Sequence, residues 1–99
     1  MGYYNITILP SAHQDMREAR VWYRQHTEDL PKRLMQQIRL GIAKIRATPF
    51  AYAIRYKEVH IANINIFPYA IHYLIVEDTV VVIGVFHTAI NPEKWKYRA

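Results

Sequence analysis

The residue of this sequence best suited to acid–base chemistry is His87, because it stands where an apolar run gives way to a polar, basic tail. Cleavage of RNA without a metal requires a base to deprotonate the 2′-OH, an acid to protonate the leaving 5′-oxygen and cations to stabilise the phosphorane. His87 has the chemistry of the base or the acid, and Tyr97 has that of a proton donor. The alternative is that His87 is a structural histidine at a strand end, hydrogen-bonded to the tail.

Cations that could hold a phosphate group lie in two parts of the chain. Arg55 and Lys57 are two residues apart, so in a strand they would share one face of the sheet. The alternative for this pair is a solvated sheet face. The tail adds three further candidates for phosphate or nucleic-acid contact, which are Lys94, Lys96 and Arg98.

Composition and spacing argue against several other kinds of site. The sequence has no cysteine, and its five histidines show no metal-ligand spacing, so we predict no metal site and no cofactor. The three glycines are isolated and form no phosphate-binding loop. The only serine, Ser11, is followed three residues later by Gln14, a spacing that predicts a helix-capping box rather than a nucleophile.

The net charge of +5 comes from one segment of the chain. Residues 30–48 contain five basic residues and no acidic one, whereas the basic and acidic residues of the remainder cancel. Such a cluster predicts binding to something acidic, either a nucleic acid or an acidic protein partner. The alternative is a solvated helix face, which describes most runs of charge. The five basic residues are Lys32, Arg33, Arg39, Lys44 and Arg46.

Two helices are predicted in the first half of the chain, after a strand at residues 3–9. The first helix follows Pro10, and the second begins at Pro31 and ends at Pro49. Gly41 falls toward the apolar side of the second helix, where it would let the first helix approach closely. The basic residues lie on the other side of this helix, and its apolar side carries Leu34, Ile38, Ile42 and Ile45.

The second half is rich in β-branched and aromatic residues and predicts three strands, at residues 55–63, 70–76 and 80–86. A tight turn makes the last two an antiparallel hairpin. This order of elements predicts an α+β fold, in which a two-helix hairpin covers one face of a small, mostly antiparallel sheet. The first strand would pair at an edge of the three-stranded meander or beside its last strand. We expect residues 1–99 to form a single domain.

The sequence also bears on the location of the protein. No apolar run reaches the roughly 18 residues that a membrane helix needs, and no secretory signal is visible. The lack of cysteine suits a reducing compartment. We therefore expect a cytoplasmic protein that makes no use of a membrane.

Two motifs in the second half resemble the C-terminal signature of the RelE/ParE toxin superfamily. The run Phe-Pro-Tyr-Ala-Ile-His-Tyr at residues 67–73 resembles the start of the penultimate strand in those proteins. His87, Pro92 and Trp95 have the spacing that closes their last strand. The run Ile-Arg-Ala-Thr-Pro at residues 45–49 is similar to the end of the family's second helix. The predicted order of elements agrees with the family over nearly the full length.

The resemblance implies a toxin of a type II toxin–antitoxin pair, of the kind also called plasmid stabilisation proteins. Such toxins are small, basic and cytoplasmic, and the C-terminal segment of a cognate antitoxin wraps around them. They frequently form dimers or toxin–antitoxin heterotetramers. RelE-like members cut mRNA on the ribosome, whereas ParE-like members poison DNA gyrase and are not nucleases. The Phe-Pro-Tyr run is more typical of the ParE-like side.

The chain departs from the nuclease pattern where relatives carry cations. Many relatives have two basic residues between the motif's histidine and proline, where this chain has Ala89 and Ile90. Relatives commonly have arginine on the strand before the Phe-Pro-Tyr run, where this chain has only His60. The nuclease members often have arginine at the start of the next strand, where this chain has Ala70. Each missing cation removes about 3 kcal/mol of transition-state stabilisation. The sequence thus favours a ParE-like toxin that binds gyrase, with two alternatives: a metal-independent mRNA endoribonuclease, or a degenerate homologue that only binds its antitoxin.

Overall fold

The computed structural model describes residues 3–98. Its helices are α1 (Pro10–Arg24) and α2 (Leu30–Ala47), and short 3-10 turns occupy Pro49–Ala51, Pro92–Lys94 and Lys96–Arg98. Its strands are β1 (Asn5–Ile8), β2 (Ile54–Tyr56), β3 (Val59–Asn63), β4 (Tyr69–Val76) and β5 (Thr79–His87). Neither of the two α-helices in residues 3–98 has the length and apolar character needed to cross a membrane.

The predicted α+β architecture is confirmed. Five strands form one sheet in the order β1–β5–β4–β3–β2, and every neighbouring pair is antiparallel except β1 with β5. The first strand therefore lies beside the last strand, which is one of the two positions that the sequence allowed. The two helices pack on one face of this sheet, so they can position side chains along the edge of β5.

Helix α1 begins at Pro10 without the predicted capping box. Proline at the first helical position costs no hydrogen bond, because an N–H there would have had no partner in the helix. Oγ of Ser11 donates a hydrogen bond to the C=O of Ile83 at 2.9 Å, and Nε2 of Gln14 donates to Glu18 at 3.1 Å. The capping-box prediction is wrong because Ser11 ties the helix to the sheet instead of closing its N-terminus.

Helix α2 carries the apolar stripe that its sequence predicts. Ile42 is half-buried at the margin of the core. Gly41 permits a close approach, but to the sheet rather than to α1, because a Cβ there would lie 2.9 Å from Cδ1 of Ile71. The other three predicted core residues are completely buried: Leu34, Ile38 and Ile45.

The first strand predicted after α2 is in fact two strands, because the chain reverses at Lys57. The φ angle of Lys57 is 47°, in the left-handed region, and Tyr56 pairs with Val59 across the turn. Arg55 lies on β2 while Lys57 lies in the turn, so the prediction that they share a strand face is wrong. β2 adds a strand to the predicted meander and forms its outer edge.

Strand β5 changes the face that it presents to the helices halfway along its length. A register shift against β4 leaves Ile83 as the extra residue of a β-bulge. Val80 and Val82 before the bulge and Val85 after it all belong to the core under the helices. Strict alternation from the first two would send Val85 to the opposite face. The bulge therefore keeps Val85 in the core.

The other face of the sheet is covered by the C-terminal tail. His72 and Phe86 meet on this face with ring centroids 4.8 Å apart. The ring of Trp95 lies 5.0 Å from His72 and 4.6 Å from Tyr56, measured between centroids. The tail is thus anchored by aromatic packing as well as by its polar contacts.

We expect Ile38→Ala to lower the free energy of unfolding by about 2 to 5 kcal/mol, because truncating a buried side chain leaves a cavity. Ile38 is completely buried, whereas Leu40 on the same helix is 54% exposed. Leu40→Ala is therefore the matched control, with an expected loss below about 0.5 kcal/mol. Equilibrium unfolding in urea measures both variants. Equal losses would contradict the placement of α2.

Candidate functional site

The C-terminal tail is fastened to α1 by an ion pair between Arg98 and Asp15. Nη1 of Arg98 lies 2.6 Å from Oδ2 of Asp15 and Nη2 lies 3.0 Å from Oδ1, which makes the contact bidentate. Both side chains are largely buried, and the hydrogen bond with Asp15 raises the pKa of Arg98. The sequence suggested a phosphate contact for Arg98, but its guanidinium is engaged within the fold.

The same contact supplies hydrogen bonds to the edge of β5. Oδ2 of Asp15 accepts the backbone N–H of Val85 at 3.0 Å, and Nη1 of Arg98 donates to the C=O of Ile83 at 3.3 Å. β1 stops opposite Val82, so within residues 3–98 no strand lies beside these backbone groups. At the C=O of Ile83 and the N–H of Val85, side chains from α1 and the tail therefore take the place of a strand.

His87 ends β5 and is exposed at the surface. Its Nδ1 accepts the backbone N–H of Ala89 at 3.0 Å, and its ring packs edge-on against Tyr69 with centroids 5.2 Å apart. Because Nδ1 accepts a hydrogen bond, the neutral ring carries its proton on Nε2. In that tautomer Nε2 carries a hydrogen and has no lone pair with which to accept a proton, while donating a proton would require the imidazolium form. The contact with Ala89 therefore argues against the base role for His87.

The two residues predicted to act together in catalysis do not line one cavity. His87 lines a groove between α1 and the tail, whereas Tyr97 is 80% exposed and does not line it. Lys94 lines the same groove as His87. Lys96 does not, and its Nζ lies 3.9 Å from a carboxylate oxygen of Glu93. Only one of the predicted tail cations therefore remains both beside His87 and available.

Arg55 and Lys57 lie at the opposite side of the sheet from His87. β2 is the outermost strand, and β5 lies three strands away from it, which at the usual strand spacing is about 14 Å. Both side chains are exposed. The predicted phosphate clamp is thus far from the predicted acid. The side chains that could bind a metal are also far apart. Within residues 3–98, no three His, Asp or Glu side chains come together to hold an ion.

The groove beside His87 has a volume of about 640 Å³. Helix α1 forms one wall with Glu18 and Trp22, and the tail forms the other with Ile90 and Lys94. Trp22 stands at the rim with 52% of its surface exposed, and its ring lies 4.3 Å from that of His26. Sequence reasoning did not single out Trp22, although a large aromatic side chain beside the apolar stripe of α1 was the available signal.

His72 is the centre of a buried aromatic cluster that sequence reasoning also missed. Its side chain is 2% exposed, and its Nδ1 shares a hydrogen bond with the hydroxyl of Tyr56 at 3.0 Å. Burial lowers the pKa of His72 to about 4. The neighbours of His72 in the apolar strand β4 are Ile71 and Tyr73, whose side chains face the helices. The side chain of His72 therefore lies on the other face of the sheet. A polar residue in such a position is the signal that could have identified the cluster.

The basic residues of α2 divide into two groups. Arg46 is half-buried, and its Nε donates to the C=O of Tyr4 at 2.9 Å while its guanidinium lies 5.7 Å from the centre of the Tyr3 ring. It therefore holds the N-terminal segment against the helix. The other four are exposed, and no carboxylate of residues 3–98 forms a salt bridge with them. These four exposed α2 cations are Lys32, Arg33, Arg39 and Lys44.

We expect stability to fall as the pH drops from about 6.5 to about 4 because of His72. The folded protein keeps His72 neutral down to about pH 4, whereas the unfolded chain takes up a proton near pH 6.5. Acid therefore favours the unfolded chain, by up to about 1.4 kcal/mol per pH unit and about 3 kcal/mol in total. Urea unfolding at several pH values measures the free energy of unfolding. Its slope against pH should be flatter for His72→Phe than for the wild type. The exposed control His13→Gln should keep the wild-type slope, and a wild-type slope in His72→Phe would contradict the assignment.

Residues 6–92 of the chain match the family model of the ParE toxin of the type II toxin–antitoxin system, parDE. No curated protein shows significant sequence similarity to the chain. Among solved structures, it is similar to one described as the chromosomal ParDE TA system from P. aeruginosa, with a TM-score of 0.77 and 9% sequence identity. That match covers 86% of this chain and 96% of the other, and it shows a shared fold. Because the family model spans most of the sequence, this chain belongs to the ParE toxin family of type II toxin–antitoxin systems.

Proposed function

We propose that this toxin inhibits growth by binding DNA gyrase, the target that its ParE-like resemblance implies, and that it does not cut RNA. The observation that carries the proposal is the bidentate pairing of Arg98 with Asp15. Arg98 is a tail cation that lines the groove beside His87, and its charge is already neutralised within the fold.

Cleavage of RNA requires an acid, a base and cations around one phosphate. His87 lines the groove, Tyr97 lies outside it, and Arg55 lies at the far edge of the sheet. Each missing electrostatic contact costs about 3 kcal/mol, or roughly a hundredfold in rate. Inhibition by binding needs no such convergence of groups. The dispersal of these residues therefore favours a toxin that binds its target.

Purified toxin should inhibit DNA supercoiling by gyrase, and its expression should arrest growth with damaged DNA and intact transcripts. We expect the wild-type toxin to leave ribosome-bound mRNA uncut, because the groups that cleavage requires do not converge on one phosphate. Ribosome-dependent mRNA cleavage that His87→Ala abolishes would establish the endoribonuclease alternative instead. A wild-type chain that binds its antitoxin without arresting growth would establish the degenerate homologue.

A ParE-family toxin has an antitoxin as its partner, and we propose that an acidic segment of the antitoxin lies along α2. The four exposed α2 cations are the support for this placement. Met35 is half-buried in a shallow groove between Lys32 and Arg39, and Leu40 is 54% exposed nearby. A segment that combines acidic and apolar side chains fits this surface. We expect the toxin to act in the cytoplasm, as a dimer or in a toxin–antitoxin heterotetramer, with residues 1–99 forming a single domain.

We expect the double variant Lys32→Glu/Arg33→Glu to bind the antitoxin about tenfold or more weakly at low salt, because attraction becomes repulsion. The loss should shrink as salt is raised, since exposed charges are screened. Titration calorimetry at two salt concentrations measures both effects. Arg55→Glu, an exposed charge reversal on β2, is the control and should bind normally. Wild-type affinity in the double variant would contradict the placement of the antitoxin on α2.

A further inference from the structure

Strand β5 has an edge along which a further strand could pair. β1 follows β5 only as far as Ile8 opposite Val82, and the chain then turns into α1. The N–H of Val85 points away from β4, because it donates to Asp15 on α1. In an antiparallel pair both backbone groups of such a residue point the same way, and the orientation repeats two residues later. The C=O of Val85 and the N–H of His87 therefore face outward.

This open edge forms the floor of the groove between α1 and the tail. Trp22 stands at the rim with 52% of its surface exposed, and Tyr69 and Ile90 add further apolar surface. Tryptophan and tyrosine beside a concavity are typical of the few residues that dominate the energy of a protein–protein contact. The groove thus offers backbone groups for pairing and aromatic side chains for packing.

We propose that this groove holds an extended segment of the toxin's target, which pairs with the C=O of Val85 and the N–H of His87 as a sixth strand of the sheet. The inference rests on the proposed function, in which the toxin acts by binding. Addition of a strand to a sheet edge is a recurring mode of peptide recognition. Main-chain hydrogen bonds supply affinity, and the side chains that line the edge select the sequence of the segment.

The charges of the groove favour the target rather than the antitoxin as its occupant. Asp15 and Arg98 neutralise each other, and Glu18 on α1 is balanced by Lys94 on the tail. An acidic segment of an antitoxin would instead be attracted to the four exposed α2 cations. The groove suits a segment of mixed charge, with one apolar side chain against Trp22 and an acidic one toward Lys94.

The chain contains no cysteine, so a single introduced thiol can be blocked selectively. A bulky maleimide on Glu18→Cys would fill the groove from its α1 wall. We expect the labelled form to bind gyrase about tenfold or more weakly than the unlabelled form of the same variant, with equal affinity for the antitoxin. Glu58→Cys, an exposed residue in the β2–β3 turn, is the matched control, and its label should change neither affinity.

Trp22→Ala tests the groove without adding bulk. We expect gyrase binding to weaken by about tenfold or more, with an unchanged circular dichroism spectrum and unchanged affinity for the antitoxin. In the complex of wild-type toxin with gyrase, exchange of the His87 amide hydrogen should slow, because its N–H gains a main-chain partner. This readout separates strand pairing from contact with side chains alone.

Equal gyrase binding by the labelled and unlabelled forms of Glu18→Cys would overturn the inference. Loss of antitoxin binding on labelling would also overturn it and make the antitoxin the occupant. If the wild-type chain arrests growth without binding gyrase, the proposed target is wrong. If Trp22→Ala then arrests growth as strongly as the wild type, the groove is not the binding site either. If the wild-type chain neither binds gyrase nor arrests growth, both the proposed function and the proposed use of the groove are wrong.

Discussion

The carboxylate of Asp15 is the point at which three parts of the fold are joined. It accepts the N–H of Val85 and binds Arg98 bidentately, so α1, the edge of β5 and the C-terminal tail meet at one pair of oxygens. The bulge at Ile83 creates this geometry, because it directs the side chain of Val85 into the core while its N–H faces α1. Gly84 leaves room for the ring of Phe86 and for the guanidinium, since a Cβ there would meet that ring and lie 3.0 Å from Nη1 of Arg98.

The use of Arg98 inside the fold leaves the toxin with two surfaces of different chemistry. The groove beside β5 has balanced charge, an open backbone edge and an exposed tryptophan. The outer side of α2 has four cations without a carboxylate partner among residues 3–98. A balanced groove selects a segment by shape and main-chain pairing, whereas a cationic face selects by charge. The two proposed partners would therefore contact different side chains of the toxin.

The fold was largely predictable because its helices and strands follow the local periodicity of apolar residues. In α2 this periodicity directly marks the face that packs into the core. The motifs of the second half likewise identified the family to which the chain belongs. The contacts that were missed join distant residues: Ser11 bonds to Ile83, and Asp15 to Arg98. No local pattern distinguishes an arginine that pairs within the fold from one that stays available. The β2–β3 turn was missed because its left-handed residue is Lys57 rather than glycine or asparagine.

Two of the exposed cations on α2 lie where they weaken the helix itself. Lys32 and Arg33 stand near the N-terminus of α2, at the positive end of the helix dipole. Asp29 is the N-cap residue, but its side chain makes no capping hydrogen bond, and no acidic residue occupies the first turn. A cation at this end costs roughly 0.3 to 1 kcal/mol, whereas Lys44 in the last turn is favourably placed. Solubility needs charge but does not need it at this end of the helix. A carboxylate that approaches Lys32 and Arg33 relieves the cost, so their position favours an acidic partner over a solvated face as the explanation of the basic cluster.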